Sequence, residues 1–217
     1  MIALKAFVSL AFFTLANAQD ADLGVVKKTF EDAKIPQSLA ITFDPCALLE
    51  VIFQTDVTKA PIQVVAGVTL QKNDTNTRPT FSVATPENKG VKADDLGPFV
   101  LSMVDPDAPT PQNPTVAQIR HFLAGNFYIE SEGANSQLVN KTPAISDWRA
   151  PNPTQGKDAH RYVFLLYKQP SGFESQTLVN STTPISTFNI SQFAEATGLG
   201  QPIAGTFILV APPVPPA

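Results

Sequence analysis

Short runs of β-branched and aromatic residues, each bounded by proline or polar turns, recur along this chain and favour a sheet over a helical bundle. The run at residues 99–104 is almost continuously apolar, as in a central strand that is covered on both faces. We predict strands at residues 49–53, 62–70, 81–83, 99–104, 121–128, 162–167 and 203–210. This pattern indicates a mostly β domain with a substantial hydrophobic core.

Two helices are also predicted, one near each end of the domain. Leu23, Val26 and Phe30 recur at steps of three and four residues, which is typical of an amphipathic helix. Ser191 is placed to cap a second, shorter helix. The apolar side of each helix would pack inward.

The first residues are typical of a secretory signal peptide. Lys5 precedes an apolar run at residues 6–15, and the small residues Ala-Asn-Ala follow at residues 16–18, as at a cleavage site. A transmembrane helix is the weaker alternative, because the apolar run is too short to cross a bilayer. We therefore predict a signal peptide at residues 1–18, one domain at residues 19–210 and a proline-rich tail at residues 211–217.

The composition limits the possible partners. The chain has 217 residues with 19 acidic and 15 basic side chains, a formal net charge of −4, which does not favour nucleic acid binding. The single cysteine, Cys46, cannot form an intramolecular disulfide, so packing must stabilise the domain. We expect a secreted monomer with no nucleic acid partner and no transmembrane anchor. The candidate glycosylation sites are the sequons at Asn73, Asn140, Asn180 and Asn189.

The chain has two histidines, and both lie at the start of predicted strands. His121 begins the strand at residues 121–128, and His160 lies two residues before the strand at residues 162–167. Imidazole is the side chain whose charge is most easily set near neutral pH. Two such groups at one rim of a sheet would form a small polar site.

An acidic, proline-containing segment, Asp-Pro-Asp-Ala-Pro at residues 105–109, follows the apolar strand at residues 99–104. The two prolines restrict the backbone and so hold both carboxylates with little conformational freedom. A carboxylate beside an imidazole raises the pKa of the ring and fixes its tautomer. We therefore predict a preformed pocket where this segment meets the two histidines.

These segments resemble the phosphatidylethanolamine-binding protein family, which also includes kinase and protease inhibitors. The similarity rests on the order and spacing of several motifs and spans roughly residues 49–208. The matching motifs are Asp-Pro-Asp-Ala-Pro at 105–109, His-Phe-Leu at 121–123, Gly156 before His-Arg-Tyr-Val-Phe-Leu-Leu-Tyr at 160–167, and Pro-Ile-Ala-Gly-Thr at 202–206.

The resemblance implies both a fold and a site. The fold would be a β-sandwich with a large central antiparallel sheet, a smaller second sheet and peripheral helices. The site would be a small pocket at one sheet rim for a phosphate-like anion or a phospholipid headgroup. No catalytic residue, metal or cofactor is implied. By position, the ligand-binding residues would be Asp105, Asp107, Pro109, His121, His160 and Tyr162.

The chain departs from the common family pattern at a few positions near this pocket. Arg120 stands where a second histidine often precedes the first motif histidine, and Ile119 replaces an aromatic residue. The sequence Asn-Pro-Thr at residues 152–154 takes the place of Gly-Pro-Pro. The aspartate and histidine framework is intact.

Simpler structural roles remain open for the same residues. Each histidine could be a buried imidazole that is bonded to the backbone, and Asp105 or Asp107 could serve turn formation. Arg161 is expected to pair with a carboxylate behind the pocket and not with a ligand.

The leading functional prediction is a secreted, non-enzymatic protein that binds a small anion. The alternative is inhibition of a serine carboxypeptidase or another protease through a protein contact. A third possibility is a metal-dependent hydrolase, in which two histidines and a carboxylate hold zinc. Against an enzyme, the sequence has no Gly-x-Ser-x-Gly elbow, no His-Glu-x-x-His helix and no glycine-rich phosphate loop.

Overall fold

The computed structural model describes residues 20–84, 97–130, 136–153 and 158–213. The predicted signal peptide at residues 1–18 and the end of the tail, residues 214–217, lie outside the described residues. The strands are β1 (Leu48–Phe53), β2 (Ile62–Gln63), β3 (Val68–Leu70), β4 (Thr80–Ala84), β5 (Phe99–Asp105), β6 (Ile119–Ile129), β7 (Ser136–Asn140), β8 (His160–Lys168) and β9 (Ala204–Val210). The helices are α1 (Leu23–Asp32), α2 (Ile35–Leu39) and α3 (Ile190–Thr197), with 3₁₀ turns at Lys72–Thr75 and Phe173–Ser175.

The described strands form one sheet in the order β2-β1-β4-β7-β6-β5-β8-β9-β3. Neighbouring strands are antiparallel except β3 and β9, which pair in parallel at one edge. Strand twist accumulates across a wide sheet, and here the sheet curls until β1 lies close to β9. The mostly β prediction is therefore confirmed. The predicted smaller second sheet is not found among the described residues, because both layers belong to one curled sheet.

Each face of the curled sheet covers its own hydrophobic core. The inner core, enclosed by the curl, contains Phe122 and Phe164 among many strand residues. The outer core lies between the central strands and the helices and includes Phe30 of α1 and Phe193 of α3. All residues of β5 are buried, as the apolar sequence predicts, because this strand contributes side chains to both cores.

Three local features differ from the sequence-based predictions. The strand predicted at residues 62–70 is interrupted by a turn at Gly67, whose φ of +86° is a conformation that glycine adopts readily. Helix α3 is capped by Asn189, which accepts a hydrogen bond from the Gln192 amide at 3.0 Å, so the predicted cap at Ser191 was wrong. Helix α2 was not predicted, since five residues are too few to show a periodic pattern.

The three central strands bring the predicted site residues to one rim of the sheet. Strand β5 ends at Asp105, and antiparallel pairing with β6 and β8 places the starts of both neighbours beside that end. Strand β8 starts at His160. The residues are therefore brought together by strand register and not by their order in the chain.

A β-bulge interrupts the pairing of β6 with β5 next to this rim. Met103 pairs with Phe122, whereas Val104 pairs with Arg120. His121 is therefore the extra residue of the bulge. Bulges redirect side chains and are common next to binding sites, and this one lies at an imidazole of the predicted pocket.

Candidate functional site

Asp105 connects the acidic turn with one of the two imidazoles. Its Oδ2 lies 2.9 Å from Nδ1 of His160, and its Oδ1 accepts a hydrogen bond from the Asp107 amide at 2.7 Å. The side chains of Asp105 and His160 are 4% and 3% exposed. One carboxylate therefore both closes the turn and orients the His160 ring.

The pKa of His160 is raised above its ordinary value of 6.5. Burial acts to lower this pKa, but the hydrogen bond and the negative charge of Asp105 together outweigh burial, and Asp107 and the Pro109 backbone add to the rise. Proline has no N–H, so the group near His160 is the Pro109 carbonyl. This carbonyl favours the charged ring, yet Nε2 has no hydrogen bond of acceptable geometry in the described structure. The raised pKa makes His160 easier to protonate than an ordinary imidazole, and in the protonated ring the buried Nε2–H can donate to another acceptor.

His121 has a different environment. Its Nδ1 lies 2.9 Å from the carbonyl oxygen of Arg149, so Nδ1 carries a hydrogen and donates it, because a carbonyl can only accept. Burial lowers the pKa of His121 below 6.5, and this effect outweighs the opposing influence of the Arg149 carbonyl and of Asp105. The positive charges of Arg149 and His160 lower the pKa further. His121 is therefore neutral near pH 7, and its Nε2 is a hydrogen-bond acceptor.

Tyr162 of β8 contacts both imidazoles. Its ring centroid lies 5.1 Å from that of His121 in an edge-to-face arrangement and 6.3 Å from that of His160 with nearly parallel planes. Burial raises the pKa of the Tyr162 hydroxyl well above its ordinary value, and the charge of Asp105 raises it further. The hydroxyl therefore keeps its proton and can act as a donor.

Asp107 points toward a different partner. Its Oδ1 accepts a hydrogen bond from Nη2 of Arg161 at 2.6 Å, and its Oδ2 accepts from Nε at 2.9 Å. Nη1 of Arg161 donates to the Ala33 carbonyl at 2.6 Å, at the end of α1. The expected pairing of Arg161 with a carboxylate is confirmed. Asp107 and Arg161 also line a cavity of about 570 Å³ between α1 and the sheet.

The predicted site residues thus separate into two groups. Asp105, His121, His160 and Tyr162 come together, with the carbonyl of Pro109 at their edge, whereas the side chain of Asp107 acts on this group only through its charge. Gly156 and the rest of residues 154–157 lie outside the described residues.

Two backbone contributors were missed by sequence reasoning. They are the carbonyl of Arg149, which binds His121, and the amide of Asn152, which lies close to the Tyr162 hydroxyl. Main-chain groups leave no side-chain signature in a sequence. The available signal was the long loop before β8, of the kind that often carries function.

Two further properties of the described part of the chain concern metal binding and membranes. No cluster of three or more His, Cys, Asp or Glu side chains there could hold a metal ion. No described helix is long and apolar enough to cross a membrane.

The four sequons differ in their surroundings. Asn73 and Asn180 are exposed. Asn140 accepts from Nη2 of Arg78 at 2.8 Å and donates to the Thr142 carbonyl at 2.7 Å, so both ends of its amide are engaged. Asn189 is half-buried and caps α3.

The fold and the motifs agree with the known proteins that this chain resembles. A family model described as phosphatidylethanolamine-binding protein matches residues 56–208. Since this match covers well over half of the sequence, the chain belongs to the phosphatidylethanolamine-binding protein family. The family indicated by the sequence motifs is therefore confirmed.

Similar curated proteins include two with informative names. The chain is 31% identical over 157 residues to the 26 kDa secreted antigen of Toxocara canis, an alignment that covers 70% of this chain and 57% of the antigen. It is 27% identical over 153 residues to the carboxypeptidase Y inhibitor of Saccharomyces cerevisiae, covering 62% of this chain and 68% of the inhibitor. The chain therefore spans only part of the length of these relatives.

Two solved structures are similar to the whole domain. The carboxypeptidase Y inhibitor in complex with its cognate proteinase has a TM-score of 0.72 and 25% identity, over 88% of this chain and 97% of that one. The phosphatidylethanolamine-binding protein from Plasmodium vivax has a TM-score of 0.61 and 14% identity, over 87% and 98%. At that identity, the second similarity concerns the fold alone.

Proposed function

We propose that this chain is a secreted, non-enzymatic binding protein whose rim pocket holds a small phosphate-like anion, such as free phosphate or a phospholipid headgroup. The observation that carries the proposal is the placement of His121 and His160 against the same Tyr162 ring, beside an Asp105 that is already paired. Family membership supports the same class of ligand.

The acidic turn does not prevent anion binding, because its carboxylates are already compensated. Asp105 pairs with His160, and Asp107 pairs with Arg161. The remaining N–H of protonated His160, on Nε2, is then available to a ligand oxygen as a charge-assisted donor. We propose that the Tyr162 hydroxyl, which interacts with Asp105 in the free protein, turns its proton to the ligand as a second donor.

His121 gives the pocket an acceptor in its neutral form. A phosphate that retains one proton offers a P–OH to Nε2 of His121, and an ethanolamine headgroup offers an N–H. A bound negative charge also favours the protonated ring. Binding of phosphate should therefore raise the pKa of His121, and affinity should increase as the pH falls through the range where this ring titrates.

Nuclear magnetic resonance of the imidazole nitrogens tests the proposal. The full chain is titrated with inorganic phosphate and, separately, with phosphoethanolamine between about pH 5.5 and 8. We expect both rings to respond and the pKa of His121 to be higher in the complex. If neither ring responds to either ligand, the anion pocket is wrong.

A pair of tyrosine variants gives a matched control. Tyr162→Phe removes a buried hydroxyl from the pocket, whereas Tyr128→Phe removes a hydroxyl from a side chain that is 40% exposed. Loss of one hydrogen bond should weaken phosphate binding by about threefold to tenfold in the first variant and leave it unchanged in the second. Equal effects of the two changes would contradict a role for Tyr162.

The second candidate function is inhibition of a serine carboxypeptidase or another protease. Similarity to the carboxypeptidase Y inhibitor, in both sequence and fold, favours it. The test is an inhibition assay of carboxypeptidase Y with the wild-type chain and with His160→Gln. Inhibition by both proteins would place this activity outside the pocket, and no inhibition would remove this candidate for that enzyme.

We also propose that the chain is secreted and that glycans occupy the exposed sequons. Expression in eukaryotic cells and mass spectrometry of the medium should give a protein that starts at Gln19 and carries glycans at Asn73 and Asn180. Retention of residues 1–18 in the mature protein would contradict the predicted signal peptide.

A further inference from the structure

Arg120 is a buried cation whose contacts are all to neutral groups. The residue is 1% exposed. Its Nε donates to Oγ of Ser146 at 2.6 Å, Nη1 to the Pro184 carbonyl at 3.2 Å and Nη2 to the Thr183 carbonyl at 2.9 Å. Its guanidinium carbon lies 5.1 Å from the centre of the Phe188 ring. No Asp or Glu of the described residues forms an ion pair with it.

The charge of Arg120 is therefore not cancelled by any side chain in the described part of the protein. Burial lowers the pKa of this guanidinium, and the nearby positive charge of Arg149 lowers it further. A guanidinium has five N–H donors in a planar fork, and three of them have the acceptors named above. A carboxylate is the group that best completes such a fork, because it accepts two parallel hydrogen bonds and neutralises the charge.

A groove of about 460 Å³ lies against Arg120 on the outer side of the sheet. Its apolar lining includes Leu178, Phe188 and Phe193, and Leu178 is 55% exposed although its side chain is large and hydrophobic. The side-chain amides of Asn189 and Gln192 border the same groove. The site thus combines an apolar floor, a polar rim and a buried cation, which is the usual make-up of a binding pocket.

This groove is separate from the pocket of the two histidines. Arg120 and His121 are adjacent in β6, but the bulge and the alternation of the strand send them to opposite faces. His121 packs against Tyr162 of the inner core, and Arg120 packs against Phe188 of the outer core. A ligand in one site therefore does not contact the other.

We propose that the groove beside Arg120 binds the C-terminal carboxylate of a peptide or protein whose last residue is apolar. The carboxylate would pair with Arg120, and the apolar side chain would lie over Leu178 and Phe193. A peptide fits better than a fatty acid, because the amides of Asn189 and Gln192 can hydrogen-bond to peptide groups, which an alkyl chain lacks.

The test uses two probes that differ in a single charged group. The isotope-labelled full chain, produced without glycans, is titrated with N-acetyl-leucine and with N-acetyl-leucine amide at constant ionic strength. We expect amide resonances of Leu178, Phe188 and Gln192 to shift with the acid and the affinity for the amide to be about tenfold lower. Equal binding of the two probes, or binding of neither, overturns the proposal.

Further probes identify the kind of anion. Octanoate carries the carboxylate without a peptide group and should bind more weakly than N-acetyl-leucine. If octanoate binds as tightly or more tightly, the peptide ligand is wrong. If chloride alone reproduces the shifts, the groove is a site for a simple ion, and the proposal fails.

Variants test whether binding depends on the residues of the groove or only on the overall charge of the protein. Leu178→Ser removes apolar floor at an exposed position, where little effect on folding is expected, and should lower the affinity for N-acetyl-leucine severalfold. Arg120→Gln should abolish the preference for the acid over the amide. Lys168→Gln removes one positive charge from an exposed position of β8 and should leave that preference unchanged. A preference that survives in Arg120→Gln contradicts the assigned role of Arg120.

Discussion

Arg120 and His121 are adjacent in the chain but belong to two different sites. The two sites differ in whether a carboxylate of the protein neutralises the buried positive charge. At the sheet rim, the protonated ring of His160 has a counter-charge within the protein, because Oδ2 of Asp105 lies 2.9 Å from its Nδ1. In the outer groove, Arg120 has carbonyl, hydroxyl and aromatic contacts but no carboxylate among the described residues. The site at His160 contains its own counter-charge before any ligand binds; we call it the balanced site. The site at Arg120 has no carboxylate among the described residues, and we call it the unbalanced site. An external anion would add a favourable ion pair there.

The largest expected effect comes from breaking the balanced pair. Asp105→Asn leaves His160 buried without its counter-charge and should lower the free energy of unfolding by about 3–5 kcal/mol. It should also lower the pKa of His160, because burial then acts without the opposing carboxylate. Urea unfolding measures the first change and nuclear magnetic resonance measures the second.

The exposed pair of Lys28 and Asp32 provides the control. Asp32→Asn breaks an ion pair of 2.6 Å whose side chains are 72% and 65% exposed, and such pairs contribute little to stability. If Asp105→Asn costs no more than Asp32→Asn, the structural importance of the His160 pair is wrong.

The second-largest effect on the free energy of unfolding is expected at Arg120, in the unbalanced site. Arg120→Met removes three hydrogen bonds but also removes the cost of burying an uncompensated charge, so the loss of unfolding free energy should be about 1–2 kcal/mol. The same urea measurement applies. A loss of unfolding free energy as large as that of Asp105→Asn would contradict the inference that the charge of Arg120 is uncompensated.

A smaller effect on stability is expected at the start of α3, where Asn189 borders the groove and caps the helix. Asn189→Ala and Ser191→Ala both destroy the same sequon, but only the first removes the helix cap. The first should cost about 1 kcal/mol more than the second, as measured by thermal unfolding of the unglycosylated proteins. Equal stability of the two variants would contradict the capping role of Asn189.

The contact between Asp105 and His160 could be predicted from the sequence, because each residue lies in a recognisable motif at the end of a strand. Asp105 lies in a proline-stiffened motif at a strand end, and His160 begins the neighbouring strand, so antiparallel pairing brings them together. The pairing of Arg161 with a carboxylate was also within reach, because both groups lie next to these motifs. Local motifs at strand ends thus specify contacts that strand pairing alone completes.

The unbalanced site could not be predicted in the same way. Oγ of Ser146 and the carbonyls of Thr183 and Pro184 come from irregular segments far from Arg120 in sequence, and main-chain acceptors are present at every residue. The single curled sheet was missed for a related reason. Alternating apolar residues reveal which faces are buried, but not whether two layers belong to one sheet or to two.

The smallest effect is a pH dependence in which the two imidazoles oppose each other. The pKa of His160 is raised in the folded state, so its contribution to stability is complete below about pH 6.5 and is lost as the pH rises through the folded pKa. The pKa of His121 is lowered, so its contribution is complete above about pH 6.5 and is lost as the pH falls through the folded pKa.

Single substitutions should therefore tilt the stability profile in opposite directions. His160→Gln should remove the loss on the alkaline side, and His121→Gln should remove the loss on the acid side, as measured by urea unfolding between about pH 5 and 9. The wild-type stability should fall on both sides of about pH 6.5, because folding takes up a proton at His160 above that pH and releases one at His121 below it. Two variants that tilt the same way would mean that the rings share one environment, and the separation into a donor His160 and an acceptor His121 would then be wrong.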